Sequence, residues 1–132
     1  MNSDLENNDK GVPRGALFFI LALAGLAGAG GVALAAVAAH KVDSPALATA
    51  ATLLMIHAAA VVGLLALAHS RAWLAAASLM LGAASLFSGD IALHTLCGQH
   101  IFPVAAPTGG SLLIASWIAV AGLAVCEARR SR

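Results

Sequence analysis

The chain has 132 residues, of which 61% are hydrophobic and 10% charged, with a formal net charge of +1. Water-soluble domains carry charge on about a quarter of their residues, so this composition excludes such a domain and makes lipid the solvent. The small net charge and the lack of aromatic residues interleaved with basic ones exclude a nucleic-acid surface. The two cysteines, Cys97 and Cys126, form no C-x-x-C pair and argue against a structural disulfide.

Residues 1–15, rich in Asn, Asp and Glu, read as a disordered tail. A hydrocarbon core about 30 Å thick needs about 20 apolar residues to cross it, and four uncharged runs of that order follow. The first covers 16–39. Lys10 and Arg14 ahead of it imitate a secretory signal, but a signal core is usually only about 7–15 residues long. This longer run, with three more behind it, is expected to be retained. Ala24, Gly28, Gly31 and Ala35 form a stripe of small residues along it, which predicts close helix packing and a central position in the bundle. His40 closes the run at the outer interface.

Asp43-Ser44-Pro45 supplies a side-chain cap and a first-turn proline for a second span over 46–68. His57, near its middle, is either a neutral histidine donating a hydrogen bond across a helix interface or a proton or metal contact. His69 and Arg71 fall in a tight turn, with Trp73 beside them as an interfacial anchor. The third span covers 72–96, and Gly98 can end it. Ala83, Phe87, Asp90, His94 and Cys97 lie on one face of this helix, which brings Asp90 and His94 within reach of each other. An isolated carboxylate at that depth is expensive, so Asp90 is expected to pair with a histidine or to be protonated. The pair then serves packing, proton or metal binding, or headgroup contact. His94, Cys97 and His100 would suit zinc or copper.

Pro103 and Pro107 predict an ordered outer loop over 99–108. The fourth span, 109–125, opens on Gly109 and Gly110, read as close-packing positions or as amides that hold an anion. Trp117 is expected to fill space between helices, and residues 127–132 to form a basic tail. Lys10, Arg14, Arg71, Arg129, Arg130 and Arg132 fall on one side of the membrane in this arrangement, against Lys41 on the other. The bias predicts an all-α, four-helix membrane bundle with both ends in the cytoplasm.

Several strings also resemble a known family. Ala36-Val37-Ala38-Ala39-His40, Ile56-His57-Ala58, Phe87-Ser88-Gly89 and Pro107-Thr108-Gly109-Gly110 with Trp117 occur in the order seen in domain-of-unknown-function family 423 (DUF423). The resemblance spans roughly residues 25–124 and implies a small four-span protein of the bacterial inner membrane, without implying an activity. The family more often has serine at the position of Asp90 and an apolar residue at that of His94. Any role of these two therefore has to come from the chain itself.

No catalytic motif of the G-x-S-x-G, phosphate-loop or H-E-x-x-H kind is present, and no enzyme or cofactor is expected. Ionisable groups at membrane depth are the functional candidates: His40, His57, Asp90 and His94. Gly28, Gly31, Gly89, Gly109 and Gly110 are the helix-packing positions. Two functions fit: a non-enzymatic structural or accessory membrane component, self-associated or within a larger complex, or a small transporter handling protons or metal. Membrane lipids are the remaining expected partner.

Overall fold

The computed structural model describes residues 11–67 and 70–131, which form four helices: α1, Arg14–His40; α2, Pro45–Ala66; α3, Arg71–Cys97; and α4, Ala105–Arg130. The polar tail before Gly11 and the turn residue His69 lie outside the described residues. All four helices are long and apolar enough to cross a membrane. At 1.5 Å per residue, the 22 residues of α2 reach about 33 Å and the 27 of α1 about 40 Å. The protein is a multi-pass membrane protein.

Local chemistry sets the ends. The Leu47 amide donates to Ser44 Oγ at 3.3 Å, and Pro45 occupies the first turn of α2, where its missing N–H is no loss. Gly98 ends α3 in the left-handed region at φ 69°, its amide donating to the His94 carbonyl at 2.9 Å. α4 differs from expectation at both ends. It begins at Ala105 rather than Gly109 because Pro107 falls within its first turn, where proline starts a helix instead of barring it. It also runs through Glu127 to Arg130, since a basic last turn complements the partial negative charge of a helix C-terminus.

Sequential helices are antiparallel. Gly28 lies against Ala58 and Gly31 against Ala51 and Met55; Ser88 meets Ala50; Gly109 lies on Phe87, and Trp73 meets Glu127. One end of the bundle, here the terminal end, therefore carries Arg14, Arg71 and Arg130. The other, the loop end, carries the connections 41–44 and 98–104.

The core sits between α2 and α3. Leu54, Val61, Leu64 and Leu65 of α2 meet Trp73, Ala77, Met80 and Ala84 of α3, with Ala24 of α1 and Leu113 of α4 joining from the flanks. The most apolar stretch of α1 is only 11% buried, against 44% for α2 and for α3. The central place expected for α1 is thus held by α2 and α3. Gly28 and Gly31 of the small-residue stripe pack on α2, and such close approach does not make a helix central. Phe18, Phe19, Leu26, Val32, Ile114 and Ile118 are each more than 60% exposed, an outer surface that suits acyl chains.

Candidate functional site

Asp90 is the most buried acidic group among the described residues, 1% exposed near the loop end of α3. Its Oδ2 accepts a hydrogen bond from His100 Nδ1–H at 3.0 Å, and its Oδ1 accepts one from the Ile101 amide at 2.8 Å. The Ala106 amide, in the first turn of α4, also faces the carboxylate. No local side chain caps α4, whose N-cap residue is Val104. Asp90 thus places negative charge from α3 beside the partly positive start of α4, while tying down the loop before it.

The expected Asp90–His94 contact gives way to Asp90–His100. His94 stands one turn nearer the loop end, where α4 no longer covers α3, and it is exposed. Its ring stacks on that of His100, with centroids 4.1 Å apart and planes inclined by 11°. Cys97 is exposed as well. Among the described residues no three His, Cys, Asp or Glu side chains converge as a metal-binding group. In this structure His94, Cys97 and His100 are thus not gathered into one three-residue group. His40 is exposed at the loop-end terminus of α1.

His57, 6% exposed, lies in mid-bundle. Its Nδ1–H donates to the Leu53 carbonyl of its own helix at 2.7 Å, and its Nε2 accepts the indole N–H of Trp117 from α4 at 3.2 Å. A carbonyl only accepts and an indole N–H only donates, so these partners select the tautomer with hydrogen on Nδ1. The bond across the interface is the one His57 accepts. Trp117, expected as interhelical filler, is 46% exposed and reaches inward through its N–H.

At the terminal end Trp73 is 5% exposed instead of lying in the interface as an anchor, and its indole N–H donates to Glu127 Oε1 at 2.6 Å. Sequence reasoning missed this pair by assigning Glu127 to a tail. The signal was present: Leu113, Ser116, Val120, Leu123 and Glu127 recur at steps of three and four, which carries the inner face of α4 past the apolar run. Ser88, fully buried, joins α3 to α2 by donating its hydroxyl to the Ala50 carbonyl at 2.8 Å.

The glycines differ in what they allow. A Cβ on Gly109 would lie 2.6 Å from the Phe87 nitrogen and 2.9 Å from its Cα, so α3 and α4 touch backbone to backbone there. On Gly31 it would lie 2.6 Å from Met55 Cγ and 3.1 Å from the Ala51 carbonyl oxygen. Gly28, Gly89 and Gly110 would make ordinary contacts at 3.7–3.8 Å, with Ala58, Ile101 and Phe87. Gly109 and Gly110 lie a full turn inside α4, where the helix's own bonds engage the amides expected to be open to an anion.

Every buried side-chain nitrogen and oxygen among the described residues has a hydrogen-bond partner. The arrangement joins α2 to α3, α2 to α4, α3 to α4 and α3 to the loop through one polar contact or pair of contacts each. No solved structure matches the chain. The model of a family described as protein of unknown function (DUF423) matches residues 34–110, more than half the chain, and this chain belongs to that family.

Proposed function

We propose that the protein is a non-enzymatic structural or accessory component of the bacterial inner membrane, with both ends in the cytoplasm, acting within a homo-oligomer or a larger membrane complex. One observation carries this reading. The polar groups at membrane depth, which would have to bind or relay something in a transporter, are engaged with other groups of the bundle: Asp90 with His100 and Ile101, His57 with Leu53 and Trp117, Ser88 with Ala50. Polar groups spent in this way fix helix positions and define a rigid body. The cytoplasmic placement is supported by Arg14, Arg71, Arg129 and Arg130 standing at one end of the helices and Lys41 at the other.

The test is purification from native membranes under mild detergent, reading copurifying subunits, oligomeric state and bound metal in one preparation. A defined stoichiometry with itself or with other subunits is the expected result. Stoichiometric metal lost on His94→Ala, or proton uptake lost on Asp90→Asn, would instead establish the ion-handling alternative. That alternative draws on the solvent-exposed His94–His100 stack at the loop end.

A further inference from the structure

We propose that the groove between α3 and α4 near the terminal end seats one anionic phospholipid, an acyl chain lying along the groove and the phosphate held by Arg71 and Arg130. The groove has a volume of about 510 Å³ and is lined by Ala72, Ala75, Ala76 and Leu79 of α3 and by Ala119 and Gly122 of α4. It exists because small residues stand at successive turns of both helices, so neither helix fills the space beside their contact. From Ala72 to Leu79 it runs about 11 Å, most of the roughly 15 Å that one leaflet contributes to a hydrocarbon core. That is the shape of a chain lying along the bilayer normal.

The mouth carries two arginines beside Glu127, whose Oε1 accepts the Trp73 indole N–H. Ala119, Gly122, Cys126 and Arg130 follow one another at steps of three, four and four, so Arg130 stands on the groove face of α4 where the helix leaves the apolar layer. Arg71 directly precedes Ala72 at the same end of α3, and both arginines are exposed. A guanidinium fits a phosphate through two parallel N–H donors, and basic pockets between membrane helices select acidic headgroups. A second copy of the chain is the poorer occupant: two copies sharing one membrane orientation would bring their Arg71 and Arg130 groups together.

The experiment uses the purified full chain in neutral detergent, with its thermal unfolding followed as phosphatidylglycerol or phosphatidylcholine is added at matched mole fraction. Phosphatidylglycerol should raise the unfolding midpoint and phosphatidylcholine should not, and native mass spectrometry should count one retained acidic lipid per chain. In the double variant R71Q/R130Q the half-maximal phosphatidylglycerol concentration should rise roughly tenfold. A Cβ at Gly122 meets open space, so G122L should fold with an unchanged lipid-free midpoint while its side chain displaces the acyl chain. Equal stabilisation by the two lipids, the same effect from inorganic phosphate alone, or either variant responding like the parent would overturn the proposal. So would a loss of oligomers in G122L with the lipid response intact, which would give the groove to a second copy.

Discussion

His57 occupies a membrane interior with a donor and an acceptor that both need partners, and α2 alone supplies only one. Leu53 of the same helix takes the Nδ1–H; the lone pair on Nε2 is satisfied by Trp117 of α4. His57→Leu should therefore lower stability by about 1 kcal/mol, in the range of interhelical hydrogen bonds in membranes. Trp117→Phe should reproduce part of the loss, and the double variant should lose less than the sum, because one bond is being removed twice. Unfolding of the four proteins in a denaturing detergent series measures this, and strictly additive losses would show that the bond contributes nothing. The glycines allow a sharper contrast. Gly109→Ala pushes a methyl into the Phe87 backbone and should destabilise by about 1–3 kcal/mol, whereas Gly110→Ala faces only a ring 3.7 Å away and should be nearly neutral. Similar unfolding midpoints for the two variants would contradict the backbone contact.

Among elements, the loop 98–104 and the start of α4 hang on one carboxylate. Asp90→Ala should free the Ile101 amide and the His100 ring together and leave the first turn of α4 without its charge partner. Hydrogen exchange at Ile101 should then accelerate, while amides in the middle of α3 stay protected. Asp90→Asn keeps a carbonyl oxygen for Ile101 and should fall between the two; unchanged exchange in Asp90→Ala would refute the strap. This was partly legible beforehand. The helical period put Asp90 on the inner face, and Ser44 and Gly98 marked where α2 starts and α3 stops. Periodicity compares residues within one helix, however, and so it named His94, four residues on. The actual partners arrive from a connection whose path depends on two prolines and on where α4 begins, and no period describes that. Glu127 was misread for a related reason: a charge after an apolar run looks like a helix end, although Trp73 lay ready to receive it.

Across the whole molecule, hydropathy delivered the four helices, because a continuous apolar run of about 20 residues satisfies its own backbone in hydrocarbon as a helix. Hydropathy says nothing about which helix lies beside which. The small-residue stripe of α1 suggested a hub, but close approach and central position are different properties, and the broad apolar faces of α2 and α3 decided the latter. Orientation is open to direct measurement. A periplasm-active reporter fused after Arg132 should stay silent, and the same reporter placed in the connection 41–44 should be active; the reverse pattern would invert the protein in its membrane.

Among the described residues, the backbone of α4 packs closely along α3 and stands off from α1 and α2. The last helix is held by α3 along its length, and its Trp117 indole reaches across to His57 of α2. Because synthesis runs from the amino end, α1, α2 and α3 can settle against one another while α4 is still leaving the ribosome. During that interval Nε2 of His57 has no Trp117, and Asp90 has no helix start beside it. The newborn three-helix body thus carries two unmet polar demands, and both point toward the place where the final segment must dock. Assembly ends when they are answered. Stalled chains that stop before Ala105 should form a disulfide between cysteines placed at Gly28 and Ala58 as readily as full-length chains do. Failure to do so would mean that the first three helices wait for the fourth.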